Sequence, residues 1–284
     1  MSDLQQGCSP SECGTKPACA GCSHNHNQAA ETAEKEPPKV RKVIGVVSGK
    51  GGVGKSLVSG ELAVMLSRMG YRVGVLDADI TGPSIPRAFG IKRKARGSEM
   101  GILPEETAMG IKVMSINLLL EHEDQPVVWR GPILAGAVTQ FWTDVAWGDL
   151  DVLLIDMPPG TGDVPLTVYQ SLSVDGTIVV STPQSLVQMV VGKAKKMADM
   201  LSIPVIGMIE NMSYAVCPDC GRRIELFGSP EGLEKAAADM GVPLLTRLPM
   251  NPDVARLCDE GEIERVVCEE MDPAADAVDR LLKE

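Results

Sequence analysis

Gly49, Lys50, Gly51, Gly52, Val53, Gly54, Lys55 and Ser56 form the stretch with the clearest capacity for chemistry. Its glycines let backbone N–H groups close round phosphate oxygens, and a helix starting at its end adds partial positive charge. Lys55 is placed to reach the β- and γ-phosphates of a nucleoside triphosphate and Ser56 to ligate Mg²⁺, with Leu57 opening the helix behind them. A second lysine, Lys50, stands too far forward to duplicate Lys55 within its own chain. The pair reads as a deviant Walker A loop, whose early lysine reaches the nucleotide of a partner subunit. Such a loop needs a strand before it and a helix after it. The apolar run 43–47 and the helix-like segment 57–69 supply both, which disfavours a glycine turn that binds nothing.

Carboxylates recur at the ends of other apolar runs. Run 73–76 ends in Asp77-Ala78-Asp79, where Asp79 is a candidate to orient or activate the attacking water and Asp77 to support the magnesium shell. Run 152–155 ends at Asp156, a Walker B-like arrangement aimed at Mg²⁺ or its waters. Gly160 follows, close enough in sequence for a backbone hydrogen bond to a γ-phosphate, and Asp163 could report phosphate loss. Asn211, just past run 205–209, offers an amide to an adenine edge. Singly, each aspartate is equally a strand terminator or helix cap, and Asn211 an ordinary loop residue. Grouped round one phosphate loop, the three carboxylate sites favour function.

Thiols form a second set. Cys217-Pro218-Asp219-Cys220-Gly221 is a C-x-x-C knuckle whose two thiolates can share a metal, although a closed tetrahedral site or a cluster takes four. A symmetric dimer, already suggested by Lys50, would supply the other pair. Residues 222–227 read as a hairpin arm, unlike the helix that a thioredoxin-like motif opens. Near the N-terminus, Cys8, Cys13, Cys19 and Cys22 fit a cluster or zinc held by a tail, with His24 and His26 as alternate ligands; an unstructured, oxidisable tail is the other reading. Cys258 and Cys268 read as packing thiols.

Strand ends can gather these residues only if the strands lie side by side. Runs 43–47, 73–77, 113–116, 152–156, 176–180, 205–209 and 244–248 are mainly apolar, without a polar residue at every second position. Segments 57–69, 186–201 and 233–240 between them are long enough for crossover helices. This pattern predicts an α/β fold: a doubly wound, mostly parallel sheet with helices on both faces. Residues 1–22 form a cysteine-rich segment, 23–39 a polar flexible linker, and 40–284 the nucleotide-binding body with the C-x-x-C site. With 27 Lys and Arg against 38 Asp and Glu, the net charge of −11 repels nucleic acid and anionic membrane. An aromatic content of 3% leaves no stacking platform for single strands. No apolar run approaches the roughly 20 residues that span a bilayer, and the polar N-terminus is not a secretory signal. The expected location is the cytoplasm, where thiols stay reduced.

Together, the loop 49–56, the segment 77–86, Trp129-Arg130-Gly131-Pro132, the segment 156–163, Glu210-Asn211-Met212-Ser213 and the C-x-x-C resemble the Mrp-type iron–sulfur cluster carrier ATPases. That family belongs to the SIMIBI class, in the MinD/ParA branch of P-loop NTPases. The resemblance spans about residues 40–265. It implies a homodimer that bridges a labile [4Fe–4S] cluster through Cys217 and Cys220 of each subunit. It also implies slow ATP hydrolysis coupled to loading or delivering the cluster to apo-proteins; cluster-donor proteins are a candidate second class of partner. Cys19-Ala20-Gly21-Cys22 resembles the cysteine-rich extension of the scaffold branch, although the other tail cysteines are spaced differently. Two other functions fit parts of the chain: a MinD/ParA-like positioning ATPase and a zinc-stapled nucleotide switch. The first needs a membrane helix or a DNA-binding face. Segment 274–284 is a poor anchor, and Lys193, Lys195 and Lys196 read as a solvated helix face.

Overall fold

A computed structural model describes residues 39–79, 82, 84–120, 131–160, 163–184, 187–227 and 231–284. Cys8, Cys13, Cys19, Cys22, His24, His26, Trp129, Arg130 and the Asp163 side chain lie outside the described residues.

Strands that are apolar on both sides must be covered on both sides. In β1 (Val40–Ser48), Ile44 and Val46 enter one core while Val43 and Val47 enter the other. β7 (Leu150–Asp156) alternates likewise, with Val152 and Leu154 on the first face and Leu153 and Ile155 on the second. Beside these strands run β2 (Val73–Asp77), β6 (Lys112–Ser115), β8 (Gly176–Ser181), β9 (Val205–Glu210) and β12 (Leu244–Arg247). The short β5 (Glu105–Glu106) closes one edge in the antiparallel sense. The order is β12-β9-β8-β1-β7-β2-β6-β5, and every pairing except β5–β6 is parallel. The predicted doubly wound sheet is present.

One face is covered by α1 (Lys55–Arg68), α2 (Ile85–Ala88), α7 (Pro252–Glu260) and α8 (Asp272–Lys283). The other carries α3 (Gly131–Thr143), α4 (Asp163–Ser171), α5 (Val187–Met200) and α6 (Glu231–Asp239). Two hairpins project from this frame. One joins β3 (Arg96–Ser98) to β4 (Gly101–Leu103), the other β10 (Ala215–Val216) to β11 (Arg223–Ile224). The strand expected over 113–116 stops at Ser115, whose side chain accepts from the Asn117 N–H and turns Ile116 into a short 3₁₀ helix. In α8, the apolar residues Val278 and Leu282 are buried in the core that includes α1. That face is packed inside the protein, which removes the segment as a membrane anchor. Among the described residues, no helix is long and apolar enough to cross a membrane.

Candidate functional site

From β1 the chain crosses over β7 to β2, and from β7 it later crosses back over β1 to β8, so the crossovers diverge between β1 and β7. Open α/β sheets bind ligands at the carboxyl ends of strands beside such a reversal. Here Asp156 pairs in register with Val46 on one side and with Asp77 on the other, bringing three strand ends together. The glycine loop bridges β1 to α1, with Gly52 and Gly54 in the left-handed region at φ 77° and 79°. A cavity of about 440 Å³ opens over the loop, lined among others by Gly52, Lys55, Ser56, Asp79, Arg87 and Pro159.

The floor of that cavity is a buried polar knot. Asp156 is fully buried, with the Lys55 Nζ 2.7 Å from its Oδ1. Ser56 Oγ donates to its Oδ2 at 2.5 Å, and Ser59 Oγ to its Oδ1 at 2.7 Å. Lys55, Ser56, Asp79 and Asp156, proposed from sequence alone, therefore meet in one place. Ser59 joins them without a motif of its own; its signal is its position three residues after Ser56, on the same face of α1.

Several assignments change. Asp77 does not line the cavity. Its Oδ1 accepts from the Asp79 N–H, and its Oδ2 from the Ile85 N–H and the Ser115 hydroxyl, so it ties down the loop that carries Asp79. Burial, and then the neighbouring Asp156, push its carboxyl well above the usual range. Gly160 has φ 93°, and its N–H donates to the Ser48 carbonyl at 2.8 Å instead of facing the cavity; its neighbour Pro159 lines the wall. Asn211, placed against adenine by sequence, donates its side-chain N–H to the Val53 carbonyl at 2.9 Å and braces the loop from behind. Lys50 turns away from Lys55 and hydrogen-bonds Gln184 at the end of β8. It lines no part of the phosphate cavity of its own chain.

A second cavity, about 260 Å³ and mostly apolar, adjoins the first through Leu57, which lines both. Leu248, Pro249, Met250 and Val254 form walls, and Asn211 and Glu61 supply polar groups. Its volume suits a nucleobase. Apart from Asn211 and Leu57 these residues carry no sequence signal: isolated apolar residues after the last strand, and a lone glutamate within α1, match no motif.

The C-x-x-C stands apart from both cavities, on the turn between β10 and β11. Its hairpin is antiparallel, as expected for residues 222–227. Cys217 N–H donates to the Arg222 carbonyl and Gly221 N–H to the Cys217 carbonyl, both at 2.9 Å, while Gly221 takes φ 68°. Backbone N–H groups of Asp219 and then Cys220 face the Cys217 sulfur and lower its thiol pKa. Cys220 is exposed, and the exposed apolar side chains Val216, Ile224, Leu226 and Phe227 surround the turn. The Arg223 guanidinium lies 4.4 Å over the Tyr214 ring and fastens the hairpin to the body. Cys258 and Cys268 are half-buried, their thiols pushed up to about 11 and about 12 by burial and by Glu61. At neutral pH they stay protonated, as packing thiols do. Lys195, in the basic cluster of α5, pairs with Asp199 one turn on, as a solvated helix face does.

Comparison with known proteins agrees with this geometry. The family model for the NUBPL iron-transfer P-loop NTPase (ParA) matches residues 39–284. The iron-sulfur cluster carrier protein of Clostridium perfringens is 44% identical over 268 residues, covering 90% of this chain and 94% of that protein. The protein of the same name from Methanocaldococcus jannaschii is 46% identical over 255 residues, covering 88% of each. Among solved structures, a nucleotide-binding protein of Archaeoglobus fulgidus in complex with ADP is 44% identical, with a TM-score of 0.74 over 82% of this chain and 92% of its own. The septum site-determining protein MinD of Pyrococcus horikoshii, complexed with Mg-ADP, shares the fold at 22% identity and a TM-score of 0.58, over 84% of this chain and 96% of its own. With the phosphate loop, the buried Lys55–Asp156 knot and a match across the whole body, the chain belongs to the NUBPL iron-transfer P-loop NTPases of the ParA family.

Proposed function

We propose that this chain is an ATP-dependent iron–sulfur cluster carrier. Two copies hold a [4Fe–4S] cluster as cargo between their Cys217 and Cys220 pairs, accept it from donor proteins and pass it to apo-proteins. The observation that carries the reading is the placement of two thiols on an exposed turn, six residues along the chain from the asparagine that braces the phosphate loop. Two thiols are half of what a cluster takes, and the exposed apolar residues round the turn suit a partner surface. The relatives' names agree with iron–sulfur cargo.

In this reading Lys55 neutralises the β- and γ-phosphates, and Lys50 does the same across the interface. The donor set fits Mg²⁺: Ser56 and Asp156 are hard oxygen ligands, and the ammonium now on Asp156 leaves it for the phosphates. When bound, Mg²⁺ supplies charge neutralisation on the transferring phosphoryl group. Asp79 orients the attacking water. The base enters the apolar cavity beyond Leu57, beside Asn211.

Coupling runs through residues 211–217. Asn211 holds Val53 and, by its N–H, the Ser181 carbonyl; Ser213 N–H holds the Leu248 carbonyl; Met250 N–H holds the Tyr214 carbonyl. A shift of the loop on phosphate binding or loss therefore reaches the hairpin within a few residues, and cluster affinity follows nucleotide state. Anaerobic reconstitution with iron and sulfide tests the proposal. About four iron and four sulfide per dimer, lost in a Cys217→Ser/Cys220→Ser variant that still binds ATP, is the expected result. Stoichiometric zinc without iron uptake would leave a zinc-stapled nucleotide switch and remove the carrier function.

A further inference from the structure

Glu61 sits on α1, one turn after Leu57, and is only 5% exposed. A carboxyl group so deeply buried ordinarily has an ion-pair or hydrogen-bond partner. Among the described residues Glu61 has neither, and the charged group that bears on it is another carboxylate, Glu270. It lines the 260 Å³ apolar cavity together with Asn211, Leu57, Cys268 and Glu270. Its surroundings are therefore a base-sized apolar slot next to the phosphate loop, with one buried polar group lacking a complement. A bound nucleobase would bring that complement.

Resting on the reading of this cavity as the base site, we infer that Glu61 selects the base, accepting a hydrogen bond from the exocyclic amino group of a 6-aminopurine seated in the cavity. The amine is the donor that the carboxyl oxygen lacks. Burial, and then Glu270, raise the Glu61 carboxyl to about 7, so near neutrality a large share is in the acid form. That form also donates its proton as a hydrogen bond to the neighbouring ring nitrogen, engaging both acid oxygens with one edge of adenine. The thiols of Cys258 and Cys268 and the Glu270 carboxylate are the titratable groups that bear on Glu61 from the other packed elements. None of them supplies a cation to compete with the base. A hydrogen bond made in such an enclosed place discriminates because the analogue without the donor leaves the carboxyl unpaired.

The test pairs a change in the protein with a change in the ligand. Dissociation constants of the full-length protein are measured with Mg²⁺ for ATP and for purine riboside 5′-triphosphate, which lacks the amine. The wild type should prefer ATP by roughly tenfold, as expected for one buried hydrogen bond. Glu61→Gln keeps an acceptor oxygen and should keep the preference. Glu61→Leu should bind the two ligands about equally, its binding of the amine-free analogue showing that the variant is folded. A Glu61→Leu protein that prefers ATP as strongly as the wild type would overturn the assignment and leave the nucleotide site intact. A wild type that binds neither ligand would overturn the base site as well.

Discussion

Replacing Gly54 by alanine tests the contact on which loop geometry and coupling both depend. Gly54 has φ 79° and ψ 25°, the left-handed conformation that costs a residue with a Cβ about 1–2 kcal/mol. An alanine Cβ there would also lie 2.2 Å from Asn211 Nδ2, far inside contact distance, so Asn211 must move. Asn211 is 3% exposed and donates to Val53 at 2.9 Å; losing that bond in a buried place costs about 1–3 kcal/mol. The sum is about 2–5 kcal/mol, and it falls on the nucleotide-competent loop rather than on the sheet. At about 1.4 kcal/mol per decade, ATP affinity should drop by roughly 30-fold to over 1,000-fold. Gly52→Ala is the internal control: φ is 77°, but nothing lies within 4 Å of its Cβ. It should show the backbone cost alone, in a fluorescent-nucleotide titration with thermal melting alongside. Asn211→Ala in the Gly54→Ala background should recover part of the loss, giving a coupling energy of about 1 kcal/mol or more. Equal losses for Gly52→Ala and Gly54→Ala, with additive behaviour of Asn211→Ala, would refute the bracing role.

Lys50→Ala should leave the fold and ATP binding nearly unchanged while abolishing turnover, read as phosphate release; retained turnover would remove the cross-subunit role. Asp156→Asn strands the buried Lys55 ammonium, and a broken buried pair costs about 3–5 kcal/mol, to be seen as a fall in the denaturant midpoint. A loss under 1 kcal/mol would mean that the lysine finds another partner without nucleotide. Glu61 has a folded pKa of about 7 against an ordinary 4.5, so the folded state holds its proton more tightly. Its contribution to stability is complete below pH 4.5, declines as pH rises, and is gone above about 7. The difference is on the order of 3 kcal/mol. Denaturation curves of Glu61→Gln should lack that part of the pH slope, and parallel curves for the two proteins would contradict the burial of an unpaired carboxyl.

The sheet was legible because its strands are apolar on both faces, which only a doubly covered parallel sheet requires. The end of each run then located Asp77, Asp79 and Asp156 without further information. The helix-like segments 57–69, 186–201 and 233–240 account for α1, α5 and α6 but leave out α2, α3, α4, α7 and α8. In residues 274–284 the charges outnumber the large apolar residues, so the segment reads only as a poor membrane anchor; Val278 and Leu282 nevertheless reach the core beside α1. The hairpin carrying the C-x-x-C was legible from the polar, glycine-marked turn.

What sequence did not separate was the direction in which each polar group faces. Asp77 and Asp79 are two residues apart in one motif, yet one turns inward to hold backbone N–H groups and the other lines the phosphate cavity. Gly160 and Pro159 are neighbours, and the wall belongs to the proline. Asn211 looked like a base contact because it follows a strand; its direction depends on Gly54, 157 positions earlier, leaving room for the amide. Glu61 is the extreme case. Glu61 shares its helix face with Leu57, one turn earlier, but a charged residue there carries no motif, and it is the packing of α7, residues 263–271 and the segment after β12 that encloses it. Such residues are set by elements distant in sequence, so motifs announce the glycine loop, whereas the groups that brace it, and a carboxyl enclosed like Glu61, emerge only once the sheet has been folded.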